Sequence, residues 1–318
     1  MNSLQGKRLV IFGCGYVGSA LARAAVTAGA RVEALTRNPD KADALRALGL
    51  SQVVVGELSS PDWHGQIASG VDFVVNCVSA GGGIDGYRQS YVAGQQSILA
   101  WAAAGKMPVG TYVYTSSTSV YPQDGGVLVD ETAPADGATP NGSIIRESET
   151  ILQKAPVAAV RRWFVLRLAG IYGPGRHHLL DQLNAGTTVL NGSGEHHLNL
   201  AHRDDIVAAI LACLAAPAEV ASEIFNVADL KQARRGEVVQ WLAARLKRPV
   251  PSYDGSAGVR RGGVPMADRR ISSAKIQRTL GWRPQFPDYR SGYDSILGAT
   301  QAPKDSTKSD PTKQLPDA

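Results

Sequence analysis

The stretch that most constrains this chain is "RLVIFGCGYVGSALARAAVTAG", Arg8 to Gly29. A short apolar run meets a Gly-x-Gly-x-x-Gly turn, Gly13, Gly15 and Gly18, and then an alanine-rich run with helical spacing. Each glycine has its own task. Gly13 permits the tight turn, Gly15 lets a diphosphate approach the backbone, and Gly18 lets the helix pack closely on the strand. The helix opens at Tyr16 and Val17, where unpaired N–H groups and a partial positive charge face an anion. Between a first strand and a first helix, this pattern reads as a dinucleotide-binding loop.

The rest of the first half repeats the strand–helix alternation. "RVEAL", "QVVVG", "DFVVNCV" and "TYVYTSS" are short, β-branched and bounded by turn residues, with helical patterns at Val17–Ala28 and Pro39–Leu48. Further strands are expected at Trp163–Leu168 and Glu223–Val227, around a helix from Asp204 to Ala215. Such alternation predicts a doubly wound α/β fold, a parallel sheet with helices on both faces. The expected organisation is a Rossmann domain over 1–170, its sheet completed by about 201–228, and a smaller, mainly substrate-binding lobe over 171–300. From residue 301 the chain, "QAPKDSTKSDPTKQLPDA", has almost no apolar side chains and reads as a disordered tail.

Composition excludes several classes. The chain has 318 residues, 44% hydrophobic and 19% charged, a globular rather than disordered balance. The net charge of +5 is spread over pairs such as Arg161-Arg162 and Arg269-Arg270, without a dense basic run, so no nucleic-acid partner is expected. Cys14, Cys77 and Cys213 lie far apart and show no metal-ligand spacing. They read as free thiols of a cytoplasmic protein without a metal. The run Ile206–Ala216 is too short to span a bilayer, and no membrane partner is expected.

The second strand bears on the choice of nucleotide. NAD sites place an acid at the tip of that strand, to accept hydrogen bonds from the ribose. Here the tip is Thr36-Arg37, and Glu33 lies inside the strand. An arginine in that place can pair with a 2′-phosphate, so the expected cofactor is NADP, with NAD the alternative.

Further motifs carry a family resemblance. "TSSTSVYP" (Thr115–Pro122), "VLRLAGIYGPGR" (Val165–Arg176), "NLAHRDDIVAAI" (Asn199–Ile210) and "RRISSAKIQRTLGWRPQFPDYRSGY" (Arg269–Tyr293) resemble the motifs of the extended short-chain dehydrogenase/reductase superfamily, which includes nucleotide-sugar epimerases and dehydratases. The resemblance runs from Lys7 to about Ser295. It implies a small-molecule substrate and a catalytic serine at Ser117. It also implies that Glu57-Leu58 and Val78-Ser79-Ala80 line the adenine and ribose. Related proteins pair helices like those near Tyr87–Ala104 and Gly142–Lys154 across dimers, so a monomer or a homodimer is expected.

The superfamily's chemistry rests on a Tyr-x-x-x-Lys pair, in which the ammonium lowers the tyrosine pKa for proton transfer. Counted back from the family's helix glutamate at Glu149, "TPNGSIIRESE" puts Asn141 at the tyrosine position and Ile145 at the lysine. The family's helix asparagine is likewise replaced by Tyr91. This combination resembles the atypical, YeeZ-like subgroup. Candidate replacements as proton donor are Ser117, Tyr91, Tyr121 and His177, beside His178. Two readings stand: an oxidoreductase or epimerase-like enzyme with a nonstandard donor, and a cofactor-binding sensor that does no chemistry.

Overall fold

The computed structural model describes residues 4–80, 83–137, 139–256, 258 and 266–301; the expected tail lies, from residue 302 on, outside the described residues. In chain order the elements are β1 (Arg8–Phe12), α1 (Tyr16–Thr27), β2 (Arg31–Thr36), α2 (Pro39–Ala47), β3 (Gln52–Val55), β4 (Phe73–Asn76) and α3 (Gly83–Tyr87). A π-helical turn, Arg88–Ala93, then runs into α4 (Gly94–Ala103), followed by β5 (Val109–Ser117), β6 (Val127–Val129), α5 (Pro140–Gln153) and β7 (Val160–Leu168). The remainder comprises β8 (Gly170–Tyr172), α6 (His178–Asn184), β9 (Val189–Leu190), β10 (Leu200–His202), α7 (Arg203–Leu214), β11 (Glu223–Val227), α8 (Arg235–Leu246), β12 (Ser252–Tyr253), β13 (Arg269–Ile271), α9 (Ala274–Leu280) and α10 (Tyr289–Gln301).

Seven strands form one sheet in the order β3-β2-β1-β4-β5-β7-β11, and every neighbouring pair is parallel. The apolar runs are continuous because both faces are covered. Alternate side chains feed two separate cores. Leu9, Ile11, Val75, Phe164 and Phe225 face one side, with Leu21 and Ala25 of α1 and Ile206 and Ile210 of α7. Val10, Phe12, Val74, Tyr112 and Val165 face the other, against Trp63, Trp101 and Leu152. The strand order reverses beside β1, which has β2 on one flank and β4 on the other. Open α/β sheets bind ligands at that crevice, outside the carboxyl ends of the strands.

The second lobe has its own core, in which Tyr172, Leu180, Leu190, Val239, Leu242 and Tyr293 pack together. Three two-stranded parallel pairs, β8 with β10, β9 with β12 and β6 with β13, brace it. The C-terminal segment crosses back to the first lobe, where Ile271, Ile276 and Trp282 join the core that holds α1 and α7.

A buried polar network lies under the carboxyl end of β5. Glu149 of α5 accepts from Arg167 Nε at 2.9 Å, from Arg167 Nη2 at 2.7 Å and from the Ser116 hydroxyl at 2.6 Å. Arg167 Nη1 also donates to the Tyr121 hydroxyl at 2.9 Å, which in turn donates to Asn226 Oδ1 at 2.8 Å. Glu149→Ala would leave the Arg167 guanidinium, 2% exposed, without its carboxylate. Urea denaturation should show a loss of roughly 3–5 kcal/mol for that variant, the usual cost of breaking a buried pair on one side.

Candidate functional site

The glycine loop lies between β1 and α1, at the point where the strand order reverses. Gly13 has φ +87°, and a Cβ there would come within 2.6 Å of the Val78 backbone nitrogen. A Cβ on Gly18 would lie 2.3 Å from the Gly13 carbonyl oxygen, so only glycine lets α1 sit this close to the turn. At Gly15 a Cβ would meet nothing within 4 Å. The space above Gly15 therefore faces outward, as a bound diphosphate requires. Gly15 itself caps α1 without a side-chain hydrogen bond, and the first turn carries no acid. The leading N–H groups of the helix, from Tyr16 and Val17, thus keep their attraction for an anion. The loop fits a dinucleotide.

At the adenosine end the structure brings two sequence candidates together. Arg37 follows the last residue of β2, and its guanidinium stands 3.7 Å from the carboxylate of Glu57, the two side chains being 59% and 37% exposed. Glu33 is taken up elsewhere, since its carboxylate is buried and accepts from Arg8 at 2.9 Å. Leu58 packs into the core beside Trp63. Val78 donates its N–H to Asn76 Oδ1 at 3.1 Å, followed by exposed Ser79 and half-buried Ala80.

The other end of the crevice gathers Ser117 and Asn141. Ser117 closes β5, is half-buried, and its Oγ accepts from the Ser119 N–H at 3.1 Å. Asn141 lies in the first turn of α5, next to Gly142, where a Cβ would lie 2.5 Å from the Ser119 carbonyl oxygen. Gly142 is what lets the helix start rest on the serine turn. Ile145, 4% exposed, packs in the core with Val113, Val120 and Tyr121. Tyr91 lies in the π-helical turn with its ring centroid 5.3 Å from that of Tyr87. Burial, helped by the neighbouring Tyr87 phenol, pushes the Tyr91 hydroxyl up to about 12. Tyr121 is fully buried inside the Arg167–Asn226 network, and burial raises its pKa against the pull of Arg167.

The histidines stand on the second lobe. His177 precedes α6 and places Nδ1 2.7 Å from Asp181 Oδ1, while His178 is exposed. Sequence reasoning did not single out His202, which is 2% exposed and accepts the Asp204 N–H at Nδ1, 3.3 Å, capping α7. Burial, against the pull of Asp204, lowers its pKa to about 4. Also unread was a dyad, His197 Nδ1 with Asp268 Oδ1 at 2.7 Å, set beside Arg269, whose Nη2 holds the Thr118 carbonyl at 3.0 Å. Seventy-one positions separate the two members, so no local pattern announces them. A cavity of about 510 Å³ lined by Arg8, Glu33, His64 and Lys106 opens at the amino ends of the strands, away from this crevice. Among the described residues no group of three His, Cys, Asp or Glu could hold a metal, and no helix is long and apolar enough to cross a membrane.

A seven-stranded parallel sheet with a glycine loop at its switch point and a smaller C-terminal region defines a Rossmann-like, nucleotide-binding class of fold. Residues 9–228 match the model of the NAD dependent epimerase/dehydratase family, and the chain belongs to that family. Membership supports a nicotinamide cofactor. The chain is similar to Protein YeeZ of Escherichia coli (strain K12), 30% identical over 288 residues that cover 89% of this chain and 97% of that protein. It is also similar to 2-alkyl-3-oxoalkanoate reductase of Stenotrophomonas maltophilia (strain K279a), 28% identical over 76% of each chain. The UDP-glucuronic acid 4-epimerase of Bacillus cereus, solved with UDP-glucuronic acid and NAD, shares the fold, with a TM-score of 0.76 and 18% identity over 92% of this chain and 99% of that one.

Gly18→Val tests the loop. The branched side chain must push α1 away from the Gly13 carbonyl and carry the helix amides with it. NADPH and NADH titrations should show both affinities lost in the folded variant. Unchanged affinity would reduce the loop to a structural turn.

Proposed function

We propose that the chain uses a nicotinamide dinucleotide, NADP in preference to NAD, to oxidise or reduce a hydroxyl or carbonyl carbon of a small molecule such as a nucleotide sugar, with a proton donor other than a Tyr-Lys pair. When bound, the nicotinamide supplies the hydride acceptor or donor. The observation that carries this reading is the meeting of Ser117 and the start of α5 at the carboxyl edge of the sheet. Ser117 Oγ accepts the Ser119 N–H, which leaves its own O–H to donate to a substrate oxygen. The activities named for the reductase and epimerase relatives support a carbonyl or hydroxyl substrate.

Asn141 cannot titrate, and Ile145 is built into the core, where an ammonium would be costly. Tyr91 is a phenol that stays protonated at neutral pH, so it suits donation rather than abstraction of a proton. Ser117, Tyr91 and His177 are the donors to test first. Tyr121 comes last, because its hydroxyl is already bonded on both sides. The rival reading, a sensor that binds the cofactor without turnover, is favoured by the same Asn141 and Ile145. A second lobe with its own core favours the enzyme, since a sensor of the cofactor alone needs no substrate lobe.

The decisive assay follows cofactor oxidation and reduction with nucleotide sugars and small 3-oxo compounds. Asn141→Ala and Ile145→Ala should change kcat by less than about tenfold, whereas removing the true donor should cost ~10²–10⁴-fold. Ser117→Ala, Tyr91→Phe and a His177/His178 double alanine are assayed beside them. A hundredfold loss from Asn141→Ala would make that amide a working hydrogen-bond donor and refute the account. No turnover across the panel, with normal cofactor affinity in every variant, would establish the sensor.

Nucleotide preference has its own test. Arg37 is exposed and could turn from Glu57 to a 2′-phosphate, a charge-assisted contact worth roughly 1.5–3 kcal/mol. Calorimetry should show NADP binding tighter than NAD, with the difference erased in Arg37→Asp. Equal or tighter NAD binding by the unmodified protein would reject NADP as the preferred cofactor.

A further inference from the structure

The cofactor loop, Gly13 to Gly18, contains no cation. A dinucleotide's diphosphate carries two negative charges, and a helix N-terminus offers the equivalent of only about half a positive charge. Two cations of the second lobe lie beside the start of α1. Tyr16, the first residue of α1, extends its ring away from the loop and donates its hydroxyl to the Pro174 carbonyl at 2.9 Å. Two guanidinium groups lie over that ring, Arg203 with Cζ 5.2 Å from the centroid and Arg176 at 5.6 Å.

These two arginines differ in what else they touch. Arg203 is engaged, its Nε donating to Asp204 Oδ1 at 2.9 Å, with the side chain 24% exposed. Arg176 is exposed and, among the described residues, has no hydrogen-bonded or ion-pair side-chain partner. Its backbone is nevertheless fixed. Gly173 and Arg176 exchange both N–H···O bonds at 3.0 Å, across a turn in which Gly173 has φ +148° and Gly175 φ +75°. A Cβ on Gly173 would stand 2.8 Å from the Tyr16 hydroxyl, so the turn and the ring fit only with glycine there. The result is a uncommitted guanidinium carried by a rigid turn to the residue that opens the diphosphate-binding helix.

We infer that Arg176 is the counter-cation of the cofactor diphosphate, a clamp that reaches across from the second lobe while the Tyr16 ring holds its guanidinium in place. A guanidinium can bind two phosphate oxygens at once, and stacking on the ring limits the freedom lost on binding. The clamp rests on the cofactor reading proposed above. It also makes the second lobe part of the cofactor site.

The test is a set of titrations with NADPH, ADP-ribose and UDP on the unmodified protein and on Arg176→Met, Arg176→Lys and Arg203→Met. Arg176→Met should weaken NADPH and ADP-ribose by a common factor of about tenfold or more, because both carry the diphosphate and only one carries nicotinamide. Arg176→Lys should recover part of the loss. Arg203→Met should cost less than about threefold, since that charge is already paired. The Arg176→Met affinities should also depend less steeply on salt. NADPH and ADP-ribose binding within about twofold of the unmodified protein would overturn the clamp, and so would a loss confined to UDP, which would assign Arg176 to a substrate diphosphate. If the unmodified protein binds neither NADPH nor ADP-ribose, the cofactor reading itself falls and the clamp falls with it.

Discussion

The ion pair between Arg167 and Glu149 joins β7 to α5 and ties that helix to the carboxyl end of β5. Both side chains are almost wholly removed from water, at 2% and 0% exposure. Two charges in that position are tolerated only if their hydrogen-bonding groups find partners. Ser116, Arg146 and Arg167 supply them to the carboxylate, and Tyr121 and Glu149 to the guanidinium. A slip of α5 along the sheet would break several of these bonds at once. Ser117, which follows Ser116, and Asn141, two helical turns before Glu149, are thereby held in a fixed relation although neither belongs to the network.

This arrangement gives the position of Ile145 a physical meaning. It faces the first core together with Val113, Val120 and Tyr121, and the helix gains apolar burial where an ammonium would need solvent or a carboxylate. This face of α5 therefore works as a packing surface. On the function proposed above, the donors to test therefore lie on the flanks of the crevice: the serine turn, the π-helical turn at Tyr91 and the second lobe.

Much of this was legible in the sequence. All seven strands of the sheet arise from short runs rich in β-branched and aromatic residues, as burial on both faces of a parallel sheet favours, and polar residues within them such as Glu33, Asn76 and Arg167 are buried with hydrogen-bond partners. The glycine loop was legible because Gly13 and Gly18 answer steric demands of the fold that no other residue meets, with Gly15 set between them at the spacing of the motif. Ile145 stands at helical spacing to Ser148 and Leu152, and all three are buried, so the core face of α5 is written in the sequence. The paired strands β6, β8, β9, β10, β12 and β13 escaped notice, since two or three residues such as "VL" or "GIY" carry no period. Arg37 and Glu57 were each read alone. Their meeting depends on β2 and β3 lying side by side, which no local pattern encodes. The polar network around Tyr121, a candidate donor in the sequence, was not legible because its partners, Arg167 and Asn226, are 46 and 105 positions away.

An all-parallel sheet also governs how such a chain can reach its final form. None of the neighbouring strands of the seven-stranded sheet can be joined by a hairpin; Leu9 must find Val32 on one side and Phe73 on the other, and Val109 must find Val160. Each pairing closes a long loop before any contact rewards it, so the search is slow and the intermediates carry unpaired strand edges. The glycine loop is completed only when β4 docks, because the backbone that closes over Gly13 belongs to Cys77 and Val78. A chain with only β1, α1 and β2 in place therefore has the glycine motif without the backbone that closes over it, and the loop reaches its final form only with β4, the fourth strand in chain order.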